Sequence, residues 1–400
     1  MRESQLLRAE RAPEDTERRT VRSLGIERPG RARFFELEDG PLEPGHVRVD
    51  TLYTGLSAGT ELSWFRGTNP YLHAAWEPEL GVFQHDRPAS GYPVRTLGYM
   101  EVARVRASRD GVHAPGDLVA MAYGHRSGHT ADPDRQLVVP LPPDIDPMLG
   151  IYAAHMGPIC ANGLLHAAAE AWGAGVRELG DGVAGRYVLV TGGGVIGLLV
   201  GLFARHLGAA GVALADRTPE RLRAAAALGL EPLDETEVEP WRAVKERWRH
   251  GPRDRGADVA FQCRGRIASL ATALRALRPQ GAVIDLAFYQ EDAAQLQLGE
   301  EFHHNGLAIR CAQIARVPRG LADWDRRRLA AETVALLRAE GRAIREHLIT
   351  DVLPLEEAPA LLEAISARRR HVIQAVFEVG ERDRQVAGRS LIARRLRPRP

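Results

Sequence analysis

The residues with the clearest chemical purpose lie in the run Tyr187-Val188-Leu189-Val190-Thr191-Gly192-Gly193-Gly194-Val195-Ile196-Gly197 and at Asp216. A short apolar strand breaks there into a glycine turn and continues as an apolar helical stretch. Gly192 permits the tight turn, Gly194 lets the backbone approach a pyrophosphate, and Gly197 lets the helix pack close to the strand. Gly193, Val195 and Ile196 complete the turn and open the helix. The free N–H groups and positive dipole end of that helix suit phosphate oxygens. A second apolar strand, 212–215, ends at Asp216, about twenty residues beyond the last glycine, where an acid accepts hydrogen bonds from ribose hydroxyls. An acid at that place disfavours a ribose 2′-phosphate, so NAD is the expected cofactor. Arg217 and Arg221 are close enough to swing onto a 2′-phosphate, and NADP stays open.

Around this fingerprint the elements fall in order. The segment before about Leu141 reads as β-rich: 46–53 and 102–107 alternate, and Gly116-Asp117-Leu118-Val119 is a turn into a strand. The segment 67–93 is punctuated by Gly and Pro and reads as a long loop. The pattern turns helical over 151–172. Strands at 258–263, 282–286 and 307–311 then alternate with helical stretches such as 268–277, which implies a parallel doubly wound sheet. A helix from 325 to about 339, a strand at 349–353, a short helix and a strand at 372–377 close the chain.

The chain has 400 residues, enough for two domains. Lys+Arg number 53 against Asp+Glu 52, so no global basic field argues for nucleic acid or an anionic membrane. Lys245 is the single lysine, and its charged helical setting predicts exposure. Cys160, Cys263 and Cys311 form no C-x-x-C pair, which excludes a disulfide framework or a cysteine-built zinc lobe. The first 22 residues lack an apolar signal core, and no apolar run is long enough to span a bilayer. These readings predict a soluble cytoplasmic protein acting on a small molecule. The Arg-rich segment 381–400 reads as a solvated, disordered tail.

With these pieces in order, the chain resembles the medium-chain dehydrogenase/reductase superfamily, the alcohol dehydrogenase-like enzymes, over about 44–379. Thr54-Gly55-Leu56-Ser57-Ala58-Gly59-Thr60-Glu61 looks like that family's T-G-I-C-G-[ST]-D motif with one residue added. Leu97-Gly98-Tyr99-Met100-Glu101-Val102 looks like its G-H-E motif, and Gly256-Ala257-Asp258-Val259 like its G-A-D-V strand start. Phe288-Tyr289 and Glu301-Phe302-His303-His304-Asn305 resemble a zinc-lacking bacterial branch. The resemblance implies an α/β chain of two parts. A GroES-like β domain covers 1–153, with 325–380 returning to it, and a Rossmann domain covers 154–324. It also implies a dinucleotide in the cleft between them, and a homodimer or higher homo-oligomer.

The departures from the family pattern bear on mechanism. Ser57 or Ala58 replaces the first zinc ligand, Tyr99 and Met100 replace the His and Glu of the second motif, and the region of 156–158 offers neither Cys nor Glu. No zinc is expected, and nothing in the spacing of His85, His125, His129 and His155 supports a rebuilt metal site. A hydrogen-bond donor must then replace the Lewis acid at the substrate oxygen. Thr60 matches the family's hydroxyl relay position, and Tyr99, standing where a zinc ligand would point, either donates to the substrate oxygen as a general acid or packs the vacated metal site. His155, at the start of the joining helix, could pass protons near neutral pH. Glu61 reads as a residue that orders its loop, while His125 and His129 either face substrate or lie in solvent. His304 and Asn305 read as structural. The expected reaction interconverts a secondary alcohol and a ketone on a polar metabolite such as a sugar or cyclitol. Two alternatives stay open: NADPH-dependent reduction of a C=C bond conjugated to a carbonyl, and dinucleotide binding without catalysis.

Overall fold

A computed structural model describes residues 17–86 and 88–380. They fall into two compact units, one made of the stretches up to Ala154 and from Asp351, the other of His155–Thr350.

The first unit begins with an antiparallel hairpin of β1 (Arg19–Arg28) and β2 (Arg31–Asp39), reversed at Gly30 in the left-handed region. β3 (Val47–Gly55) follows and runs into α1 (Ala58–Arg66). Helix α1 stops at Gly67, whose φ of 77° few other residues tolerate. Within the expected long loop lies a small hairpin of β4 (Ala75–Glu77) and β5 (Val82–Gln84). β6 (Glu101–Ser108), β7 (Leu118–Met121), β8 (Gly128–Ala131) and β9 (Val138–Pro140) complete this half. Alternation buries one face of these strands, Val47, Val49, Ala103, Val105, Val119 and Met121 among them.

The second unit opens with α2 (Met156–Trp172). β10 (Tyr187–Thr191), α3 (Val195–His206), β11 (Gly211–Asp216), α4 (Pro219–Ala227) and β12 (Glu231–Asp234) form the first βαβαβ half. α5 (Pro240–Arg247) and the ribbon of β13 (Arg249–Gly251) and β14 (Asp254–Arg255) lead to β15 (Ala257–Gln262). α6 (Ile267–Ala276), β16 (Leu277–Asp285), β17 (Ala308–Cys311) and α7 (Arg326–His347) follow. The six strands order as β12-β11-β10-β15-β16-β17, and every pairing is parallel. Strand order reverses between β10 and β15, the switch point outside whose carboxyl ends doubly wound sheets bind ligands. Val188, Leu189 and Val190 are fully buried, as expected of a strand covered on both faces.

The chain re-enters the first unit through β18 (Ile349–Pro354), α8 (Ala358–Ser366) and β19 (Gln374–Glu378). The order there is β18-β19-β3-β6-β7-β9, with β8 also paired to β3. The sequence reading returns the chain at 325. In the structure the return comes at Asp351, because α7 buries Leu329, Leu336, Leu337 and Ile344 within the second unit. The segment 381–400 lies outside the described residues.

Candidate active site and dinucleotide site

The glycine turn joins β10 to α3. Gly192 has φ 100°, and a Cβ on Gly197 would collide with the Gly192 carbonyl oxygen, so the helix sits against the turn only with glycine there. Gly194 differs: a Cβ built on it would meet no atom within 4 Å. No side chain caps α3 at Gly194, so the first amides of the helix, those of Val195 and Ile196, have no side-chain cap. An open turn ending in uncapped amides fits a pyrophosphate.

Asp216 ends β11 and is 1% exposed. One carboxylate oxygen accepts the Gly193 N–H at 2.7 Å and lies 3.4 Å from the Arg221 guanidinium. The other accepts the N–H groups of Arg217 and Thr218, both at 2.8 Å. The acid therefore ties the glycine turn to the end of β11, a use invisible in the sequence. Burial alone would raise its pKa, but Arg221 and the N–H donors outweigh it and hold the carboxyl below its usual range. Arg221 leans on Asp216, with its Nε buried and unpartnered. The Arg217 guanidinium lies 3.8 Å from Glu235.

In the first unit, α1 and the turn before β6 bring three hydroxyls together. Tyr99 Oη is hydrogen-bonded to Ser57 Oγ and lies 3.4 Å from Thr60 Oγ1. Thr60 and Tyr99 are half-buried, whereas Ser57 is buried. Below them Glu61 accepts the Ser57 N–H at 2.7 Å, and its second oxygen lies 2.8 Å from His125 Nε2. His125 Nδ1 lies 2.7 Å from Thr54 Oγ1. His129 forms a parallel pair with Glu101 at 2.7 Å and stacks on Tyr123. Both histidines are thus sealed in the core, neither in solvent nor turned to a substrate, because each has a buried carboxylate as its partner. The cluster offers hydroxyl donors, a poor set for zinc, which prefers thiolate, imidazole and carboxylate. Among the described residues no group of three or more His, Cys, Asp or Glu could hold a metal.

Residues 195–321 match the family described as Zinc-binding dehydrogenase, a span that runs from the first turn of α3 through β17. The chain belongs to the medium-chain dehydrogenase/reductase superfamily. It is accordingly a nicotinamide-dependent oxidoreductase. Among superfamily relatives, D-guloside 3-dehydrogenase of Escherichia coli (strain K12) is 26% identical over 353 residues, 85% of this chain and 94% of that one. The solved alcohol dehydrogenase of Thermotoga maritima aligns with TM-score 0.69 at 20% identity, covering 90% of this chain and all (100%) of the other. Galactitol-1-phosphate dehydrogenase of Escherichia coli aligns with TM-score 0.67 at 18% identity, covering 89% and 99%.

Other expected residues find plainer places in this medium-chain fold. His155 precedes α2 without capping it, and burial, with Arg326 adding, pushes its pKa down to about 4, so its imidazole is neutral at neutral pH. Lys245 is half-buried rather than exposed, because its ammonium donates to the carbonyls of Leu277 at 2.6 Å and Arg255 at 3.2 Å. The Asn305 carbonyl accepts the Gln280 N–H, and His304 is exposed. All three cysteines are free. Thr191, Gln262 and Asp285 stand at neighbouring strand ends, the last two missed by sequence reasoning: Thr191 donates to Gln262, and Tyr289 donates to Asp285 at 3.0 Å and accepts from Gln262 at 3.1 Å. Arg264 and Glu235 were also missed; each lies just beyond a strand end, with no motif to mark it.

Proposed function

We propose that this oxidoreductase interconverts a secondary alcohol and a ketone on a polar small molecule of the sugar or cyclitol class. NAD is its first-choice cofactor, and zinc takes no part. The observation that carries the reading is the hydroxyl cluster of Ser57, Thr60 and Tyr99, at the motif positions where zinc-dependent relatives place metal ligands and a relay hydroxyl. The guloside relative supports the substrate class.

The dinucleotide, when bound, supplies the hydride or accepts it. This chain's residues manage the oxygen. In reduction, charge builds on the carbonyl oxygen as its carbon gains hydride, and the Tyr99 hydroxyl donates the proton that the new alcohol needs. Ser57 Oγ orients that hydroxyl, Thr60 is the second donor to the substrate oxygen, and solvent restores the proton that the half-buried Tyr99 gives up. Glu61 fixes the Ser57 backbone and so the position of its side chain. Oxidation runs the same steps backwards. Tyr99 carries the proton duty and His155, neutral with a pKa of about 4, does not.

The test is turnover of NAD with a panel of glycosides, polyols and cyclitols before and after exhaustive chelation, with the metal content measured. Unchanged turnover after chelation supports the reading. Activity that rises and falls with bound zinc overturns it.

A further inference from the structure

We infer that Glu235 sets the choice between NAD and NADP, by holding two arginines that would otherwise receive a 2′-phosphate. The inference rests on the dinucleotide reading of the His155–Thr350 unit.

A cavity of about 570 Å³ opens beside the carboxyl ends of β11, β12 and β15. This is the β10–β11–β12 side of the switch point, the half that takes the adenosine of a dinucleotide. Arg217 and Arg264 both line it, and Glu235 lies between them. Glu235 accepts from the Arg264 guanidinium at 2.8 Å and lies 3.8 Å from that of Arg217. The Glu235 side chain is 13% exposed and that of Arg264 25%, so their pairing is shielded from solvent and salt. The third arginine of the lining, Arg266, is held by Glu291 at 2.8 Å. With Glu239 and Asp292 also in the wall, acids outnumber arginines. Such a wall accepts a neutral ribose diol and repels a phosphate.

Asp216 cannot make this distinction alone. Four donors surround its buried carboxylate, and it braces the turn. Glu235, unlike Asp216, lines the cavity, and it does so between the two arginines. Without its charge, Arg264 and Arg217 become free donors at one place, and a dianionic phosphate gains charge-assisted hydrogen bonds there.

The experiment is calorimetric titration of the full chain with NADH and NADPH, comparing wild type with Glu235→Gln, Arg264→Gln and the double variant. Glu235→Gln should move the NADPH/NADH affinity ratio toward NADPH by about tenfold. The double variant should lose that gain. Arg264→Gln alone, which leaves Glu235 with only the more distant Arg217, should move the ratio further toward NADH, and it keeps the inference testable if Glu235→Gln fails to fold. Ratios unchanged in the folded variants, with NADH binding intact, overturn the role of Glu235 alone. Wild-type protein that binds neither nucleotide overturns the dinucleotide reading and this inference with it.

Discussion

His125 Nε2 and a Glu61 carboxylate oxygen lie 2.8 Å apart, with side chains 0% and 1% exposed. A pair this deep is costly to break from one side, because the remaining partner keeps a buried polar group without water. Glu61→Ala should therefore destabilise the protein by about 3–5 kcal/mol in denaturant unfolding. Gly98→Ala probes the same place from above. A Cβ there would lie 2.9 Å from the His125 ring, on a backbone with φ 92°, so it too should destabilise.

Tyr99→Phe removes the hydroxyl and keeps the ring. If that hydroxyl donates to the substrate oxygen, kcat should fall by about a hundredfold or more while the melting temperature changes little. Ser57→Ala should fall less, since it only orients Tyr99. A phenylalanine variant with full kcat would remove Tyr99 from the chemistry.

Asp216 makes the glycine turn sensitive to acid. Its carboxyl is held below the ordinary range, so the folded state binds fewer protons than the unfolded chain across the carboxylate window. Its stabilisation is complete above the unfolded carboxylate pKa and is lost as pH falls through the depressed one. Asp216→Asn should cost about 1–3 kcal/mol at neutral pH and flatten the acid limb of a melting-temperature profile. A parallel profile for the variant would refute the assignment.

The second unit was legible because its signals are local. Period, glycine spacing and strand-end acid all lie within one βαβ stretch, and parallel strands read as plain apolar runs. The first unit was legible only where a motif supplied the register. The β1–β2 hairpin is rich in Arg and Glu on its open face, and it hides in a sequence that reads as merely charged. Pairings such as Glu61 with His125 or Glu235 with Arg264 join residues 64 and 29 positions apart. No periodicity encodes such meetings; the topology creates them. The return at Asp351 was missed for a similar reason, since the apolar face of α7 does not say which core receives it.

Asp285 carries the opposite sign from Asp216. Burial raises its pKa, which the Ala287 N–H and the Tyr289 hydroxyl only partly offset. The folded state then holds a proton that the unfolded chain gives up, so stability is full at low pH and declines as pH rises through the raised pKa. Asp285→Asn keeps an oxygen acceptor for those donors and removes the titration. Its melting temperature should exceed that of wild type at neutral pH, and the gap should close on acidification. A gap that is constant with pH would mean that Asp285 does not titrate in this window.

Gly194 and Gly197 separate what the fold requires from what a ligand requires. At Gly197 a methyl group would strike the Gly192 carbonyl, so Gly197→Ala should disturb the turn and lower stability together with dinucleotide affinity. At Gly194 the backbone has φ −72°, open to any residue, and the space beyond is empty of protein. Gly194→Ala should leave unfolding free energy within about 0.5 kcal/mol of wild type. Yet the added methyl group stands where a pyrophosphate must approach, and NADH affinity should fall about tenfold or more. Calorimetric titration beside a melting curve reads both quantities. Intact affinity in a stable Gly194→Ala protein would mean that the phosphates do not rest on this turn.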